Sequence, residues 1–163
     1  MRRVVFDSNA IDPIVDTPGA YQALRGAVDR GELEVLYTHI TIDELSAIPD
    51  LERRRRLLTS MTGLGQPVPT GVFVLDHSRL DHARLGDEAA AAALENLRSG
   101  SLKNTNDGII ASTARYEGCA LVTNEARRLP NRSREEGIEV LSTSDLLAEF
   151  GFVLPDAQRP DRA

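Results

Sequence analysis

Short apolar segments alternate with longer helix-forming segments along this chain, and this alternation is the feature that most restricts its fold. The segments that favour strands are Arg2–Phe6, Glu34–Thr38, VFVL at 72–75, CALVT at 119–123 and IEVL at 138–141. Strands that are apolar throughout and joined by helices are typical of a parallel sheet covered on both faces. The sequence therefore predicts an α/β three-layer sandwich with a central, mainly parallel sheet of about four to five strands.

Local signals predict several element boundaries. Residues with capping side chains predict helix starts at Thr17, Asp50, Ser78 and Ser144. The stretch at 63–71 is rich in glycine and proline, which predicts a loop. We expect residues 1–154 to form a single domain and residues 155–163 to form a flexible tail.

Composition excludes several classes of protein. Lys and Arg number 19 against 25 Asp and Glu, a net charge of −6, so any binding of a polyanion has to be local. The run Arg53–Arg56 predicts a solvated helix face, because consecutive helical residues point in different directions. The single cysteine, Cys119, cannot form an internal disulfide, and no apolar stretch approaches the roughly 20 residues of a membrane span. We therefore expect a cytoplasmic protein.

Four acidic residues fall near the carboxyl ends of the predicted strands. Asp7 directly follows the first strand, Glu44 lies on the helix after the second, Asp107 lies in the first turn of the helix before CALVT, and Glu125 follows CALVT. Since ligand sites of parallel sheets collect at this edge, we expect the four carboxylates to gather in one cleft. Like charges held close either raise a pKa or bind a cation.

Oxygen ligands of this kind favour a hard divalent metal, Mg²⁺ or Mn²⁺. Small polar neighbours can orient the carboxylates by hydrogen bonding: Ser8, Asn9, Thr105, Asn106, Thr123 and Asn124. Taken singly, Asp107 and Glu125 could merely favour helix N-termini, and Glu44 could be a surface residue. The histidines His39, His77 and His82 are not spaced as a metal set, and we interpret them as ordinary polar positions.

Four segments together resemble the PIN-domain ribonucleases, which include the VapC-type toxins of bacterial toxin–antitoxin pairs. They are VVFDSNAI, THITIDELSAI, NDGIIASTARYEGCALVTNE and GIEVLSTSDLL, and they span about residues 2 to 150. The third is the most specific, because it joins D-x-x-I-A-x-x-A to an apolar strand and T-N-acidic. The chain is longer than the usual toxin, chiefly through residues 63–75 and the tail.

The resemblance implies a fold, a site and partners. It places Asp7, Glu44 and Asp107 on three acidic positions of the family's metal site, and Glu125 on the fourth, where aspartate is usual. Asn9 and Thr123 match positions that support the ligands, and Asn124 completes or orients the site. The implied cofactor is Mg²⁺ or Mn²⁺. The implied partners are an RNA substrate, a cognate antitoxin protein and a second copy in a homodimer.

The leading hypothesis is thus a metal-dependent endoribonuclease, with RNA held locally by arginines such as Arg127 and Arg128. A second hypothesis is a PIN-like module that binds RNA or protein and has lost cleavage, since glutamate stands at position 125. A third is a phosphatase of the haloacid dehalogenase type, which also begins with a strand ending in Asp. That family needs a second Asp two residues on, where this chain has Asn9.

Overall fold

The computed structural model describes residues 1–126 and 128–155. The strands of this part of the chain are β1 (Arg2–Phe6), β2 (Leu33–Tyr37), β3 (Gly65–Pro67), β4 (Ala120–Val122) and β5 (Val140–Leu141). They form one sheet in the order β3-β2-β1-β4-β5, and every neighbouring pair is parallel. This confirms the predicted α/β class and its central parallel sheet.

The helices of the described residues cover both faces of the sheet. They are α1 (Asp12–Asp16), α2 (Ala20–Asp29), α3 (His39–Ser46), α4 (Leu51–Leu64), α5 (Glu88–Arg98), α6 (Thr105–Glu117), α7 (Arg128–Glu135) and α8 (Thr143–Glu149). Side chains of α1, α2, α4 and α8 form one core against the sheet, and those of α5, α6 and α7 form a second. The three layers are therefore helix, sheet and helix.

Strand β1 shows why the sheet needs cover on both sides. Val4 and Phe6 belong to one core and Val5 to the other, and all three are 0% exposed. Successive side chains of a strand point to opposite faces, so an uninterrupted apolar run fits only a strand buried on both. The carboxyl end of β1 opens between the ends of β2 and β4.

The segment between β3 and α5 differs from its prediction. Strand β3 lies inside the predicted loop at 63–71, where it pairs with β2 as an edge strand. The prediction of a strand at 72–75 was wrong, and the helix predicted from Ser78 is reduced to one 3-10 turn at Leu80–His82. An isolated bridge between Thr70 and Ala83 closes this stretch into a loop.

Two predicted helix caps also shift. Thr17 ends α1, and α2 begins after Gly19, whose φ of 89° is in the left-handed region. Helix α8 is capped by Ser142 instead of Ser144, through a capping box in which Ser142 Oγ accepts from the Asp145 amide at 3.1 Å. The cap by Asp50 is confirmed, since its Oδ1 accepts from the Arg53 amide at 2.7 Å.

The run of four arginines on α4 holds neighbouring elements together. The Arg53 guanidinium bonds Asp12 and both carboxylate oxygens of Asp16, which fastens α4 to α1. Arg54 donates to the Ser46 carbonyl, and Arg56 donates to the Val15 carbonyl. The interpretation of this run as a simply solvated face was therefore incomplete, because three of its side chains bond neighbouring elements and the fourth, Arg55, lies 3.9 Å from Glu52 of the same helix.

No helix among the described residues is long and apolar enough to cross a bilayer. The tail predicted at 155–163 lies outside the described residues apart from Pro155. The single domain over residues 1–154 stays a prediction.

Candidate active site

Asp7 is a buried carboxylate at the carboxyl end of β1. Asp7 is 3% exposed, and its backbone amide donates to the Val122 carbonyl of β4 at 3.0 Å. Its Oδ1 accepts from the Ser8 amide at 2.8 Å, and its Oδ2 accepts from Asn9 Nδ2 at 2.8 Å and Thr123 Oγ1 at 2.7 Å. Burial raises the pKa of Asp7 to about 6, although the Thr123 and Ser8 hydrogen bonds oppose the shift and repulsion by other carboxylates reinforces it.

Asp107 lies in the first turn of α6, and its carboxylate has no hydrogen-bond or ion-pair partner among the described residues. Burial raises its pKa to about 7, and the charges of Asp7, Glu44 and Glu125 push it in the same direction. The same Glu44 and Glu125 charges raise the pKa of Asp7. Asp7 and Asp107 therefore lie within electrostatic reach of each other and of Glu44 and Glu125, at the edge that the strand-end argument predicts.

Glu44 projects from α3 and is held by Asn106, which precedes Asp107 in the chain. Asn106 Nδ2 donates to Glu44 Oε1 at 2.9 Å. Of the six small polar neighbours named from the sequence, Asn106 thus contacts a site carboxylate, whereas the Thr105 hydroxyl donates to the Leu102 carbonyl.

Glu125 stabilises the start of a helix and also lies near Asp7 and Asp107. Its Oε1 accepts from the amides of Arg128 at 3.2 Å and Leu129 at 3.3 Å, which caps the start of α7. The alternative explanation considered from the sequence, a helix-terminal role, therefore applies to this residue. Its charge still acts on both Asp7 and Asp107.

Asn9 and Asn124 join the loops that carry the site. Asn124 donates from its backbone amide to Asn9 Oδ1 at 2.7 Å and from Nδ2 to the Asn9 carbonyl at 2.9 Å. Its Oδ1 accepts from the Thr143 amide at 3.0 Å. Asn9 thus orients Asp7 directly, whereas Asn124 ties the ends of β1 and β4 to the start of α8.

A small cavity beside the cluster contains both signs of charge. It is lined by Asp107 and Glu125 together with Arg128 and Arg132 of α7. The sequence singled out Arg128 as an RNA contact, and the structure places it next to the carboxylates; Arg127 lies outside the described residues. The Arg132 side chain is partly engaged, since its NH1 donates to the Leu97 carbonyl at 3.2 Å.

The chemistry of these side chains fits a hard divalent cation. The buried Asp7 and the half-buried Asp107 have raised pKa values and lie near two further carboxylates, and neither forms an ion pair with a Lys or Arg among the described residues. In residues 1–126 and 128–155, no three or more His, Cys, Asp or Glu side chains lie close enough together to hold a metal ion as they stand. The donors are therefore suited to Mg²⁺ or Mn²⁺ in type and charge, without a preformed cage.

Comparison with known proteins identifies the class. The PIN domain family model matches residues 4–131, so this chain belongs to the PIN domain family. No curated protein sequence matches the chain.

Solved structures show the same fold at low sequence identity. VapBC2 from Rickettsia felis, crystallised with a DNA fragment from its promoter, is similar with a TM-score of 0.54 and 15% identity, over 86% of this chain and 98% of that chain. PAE2754 from Pyrobaculum aerophilum is similar with a TM-score of 0.56 and 17% identity, over 92% of this chain and 97% of that chain.

Proposed function

We propose that this protein is a metal-dependent endoribonuclease that hydrolyses RNA phosphodiester bonds. The observation that carries the proposal is the group of four carboxylates at one edge of a PIN-domain sheet, in which burial and repulsion by the other three raise the pKa of Asp107 to about 7. Such an arrangement is unfavourable in the absence of a cation, so a bound divalent metal would relieve it.

In this proposal Asp7, Glu44 and Asp107 hold Mg²⁺ or Mn²⁺, and Glu125 is a fourth candidate ligand. A bound metal would lower the pKa of a water and neutralise charge on a phosphodiester. The protein's own groups orient the ligands. Thr123 and Asn9 hold Asp7 by hydrogen bonds, which fixes its carboxylate plane. Arg128, beside Asp107 in the small cavity, is positioned to bind a backbone phosphate.

The test is cleavage of a total-RNA sample by the purified protein with Mn²⁺, with EDTA, and with Asp7→Asn beside the wild type. We expect discrete cleavage that disappears in EDTA and in Asp7→Asn. Asp29→Asn is the matched control, because Asp29 is an exposed residue at the end of α2, on the side of the sheet where β2 begins. Cleavage by Asp7→Asn, or cleavage in EDTA, would contradict the proposal.

A catalytically weakened PIN module is the second candidate, and the cap that Glu125 makes on α7 favours it. A carboxylate that stabilises a helix start is less free to serve a metal. Calorimetric titration with Mn²⁺ separates the two candidates. Micromolar binding that is lost in Asp107→Asn contradicts the inert module, whereas no binding by a folded wild type supports it.

We further propose that the protein is the toxin of a type II toxin–antitoxin pair. Support comes from the likeness of its fold to VapBC2 from Rickettsia felis. Co-expression with a small neighbouring reading frame should yield a stable complex and relieve any growth arrest caused by this chain alone. If neither complex nor growth arrest is seen, the protein is a stand-alone RNase. Light scattering on the purified chain would test the proposed homodimer.

A further inference from the structure

The loop at residues 71–82, which we name the rim loop, lies against the candidate site. Its ends are closed by the bridge between Thr70 and Ala83, in which the Thr70 amide donates to the His82 carbonyl at 2.9 Å. The Gly71 amide donates to Thr113 Oγ1 of α6 at 3.1 Å, and the Val74 amide donates to Ser78 Oγ at 3.0 Å. These contacts determine the path of the loop without any contribution from the imidazole of His77.

The rim loop also contacts the two helices that carry Glu44 and Asp107. Arg79 NH2 donates to Asp43 Oδ1 of α3 at 2.6 Å. His39 Nε2 of α3 lies 3.3 Å from the His77 carbonyl, and His77 Nδ1 lies 2.9 Å from Asn106 Oδ1 of α6. His77 therefore contacts both helices, α3 through its carbonyl and α6 through its ring.

The hydrogen-bond chemistry determines which groups donate. A carboxylate can only accept, so the Asn106 group that faces Glu44 has to be its NH₂. The Asn106 oxygen therefore faces His77, and His77 has to carry a hydrogen on Nδ1 in order to donate to it.

The same reasoning fixes the other histidine. The His77 carbonyl can only accept, so His39 has to carry a hydrogen on Nε2. Its Nδ1 is buried and has no hydrogen-bond partner among the described residues. The imidazoles of His39 and His77 are thus held in opposite tautomers.

We propose that His77 is a positioning residue of the active site, which holds the Asn106 amide in the one orientation that fixes the Glu44 carboxylate. The inference rests on the proposed function in so far as Glu44 is a metal ligand. A partner that orients a ligand in this way typically changes metal affinity or activity by roughly 10- to 100-fold when it is removed. His77 does not itself contact the carboxylates, so its effect has to pass through Asn106.

The first test needs neither metal nor RNA. Long-range ¹H–¹⁵N NMR on the neutral imidazoles of the wild-type protein should show His77 as the Nδ1–H tautomer and His39 as the Nε2–H tautomer. Asn106→Ala should remove the preference of His77 and leave that of His39. An Nε2–H tautomer at His77 in the wild type would overturn the proposal.

The second test measures Mn²⁺ affinity by calorimetry. His77→Phe keeps a ring but removes the donor, and it should weaken Mn²⁺ binding roughly 10- to 100-fold. His77→Asn, whose amide nitrogen can take the place of Nδ1, should restore most of the affinity. His82→Phe is the matched control. His82 lies in the same loop as His77, and its ring is 5.9 Å from the His39 ring of α3, but no hydrogen bond joins it to Asn106 among the described residues. Wild-type affinity in His77→Phe, or an equal loss in His82→Phe, would overturn the proposal.

RNA cleavage then separates this inference from the proposed function. His77→Phe should lower kcat and leave the KM for RNA unchanged, because His77 acts on Glu44 and not on the substrate. If the wild type binds Mn²⁺ but cleaves no RNA, the ribonuclease assignment fails while the affinity and tautomer results still decide the role of His77. If the wild type binds no Mn²⁺, both fail.

Discussion

Replacing Asp107 by asparagine should stabilise the metal-free protein while it abolishes metal binding. The change removes a charge from a crowded site and breaks no hydrogen bond among the described residues. The difference between the ordinary pKa of 3.8 and a value of about 7 corresponds to roughly 4 kcal/mol of unfavourable free energy above that pH. Because Asp107 is partly exposed and solvent screens the repulsion, we halve this figure to about 2 kcal/mol.

The pH dependence follows from the sign of the shift. The folded state binds the Asp107 proton more tightly than the unfolded state, so the free energy of unfolding falls as pH rises from about 4 to about 7. Above that window the loss is complete. The advantage of Asp107→Asn over the wild type should therefore be largest at about pH 7.5 and shrink toward pH 4. The raised pKa of Asp7 adds a fall of stability with rising pH that both proteins share.

Urea unfolding in EDTA at several pH values is the assay. Asp29→Asn, a change at an exposed site, should lie within about 0.5 kcal/mol of the wild type throughout. Added Mn²⁺ should raise the urea midpoint of the wild type and leave that of Asp107→Asn unchanged. If Asp107→Asn were no more stable than the wild type at pH 7.5 in EDTA, the argument that burial and repulsion destabilise the charged Asp107 would be refuted.

Three further changes test individual contacts. Thr123→Val removes the hydroxyl that donates to Asp7 Oδ2, so it should raise the pKa of Asp7 above about 6, measured by NMR titration of the carboxyl carbon. Glu125→Ala removes the cap on α7 and should lower the free energy of unfolding by roughly 0.5–2 kcal/mol. Glu125→Gln keeps an acceptor and should cost less. Equal losses for the two variants in urea unfolding would contradict this. Ser142→Ala removes the capping box of α8 and should cost about 1 kcal/mol with RNA cleavage unchanged, so a fall in cleavage by the folded variant would show that α8 affects the site.

The fold class could be predicted from the apolar segments, because a parallel strand that is buried on both faces needs apolar side chains at successive positions. Val4, Val5 and Phe6 illustrate this, since each is fully buried. Strand β3 could not be predicted in the same way. Its residues, Gly65–Pro67, carry no apolar pattern, and they become a strand only because the edge of β2 supplies the hydrogen-bond partners.

The candidate carboxylates could be predicted from their positions after strands. The residues that surround them in the structure could not be predicted. Whether Glu125 caps a helix depends on where α7 begins, and this is set by how the chain packs after β4. Likewise, the small polar residue Asn106 was a plausible neighbour of the site, yet its partner His77 is 29 positions away and lies in a loop that the sequence misassigned as strand and helix.

The sequence by itself thus determined the layers of the fold and the edge at which Asp7, Glu44 and Asp107 would meet, because strand burial and the position of strand ends follow from residue type and order. Only the tertiary structure decided the hydrogen bonds from Thr123 to Asp7 and from Asn106 to Glu44, whose partners are 116 and 62 positions apart. A hydrogen bond requires donor and acceptor within about 3 Å, and no local pattern of residues specifies a distance across the fold.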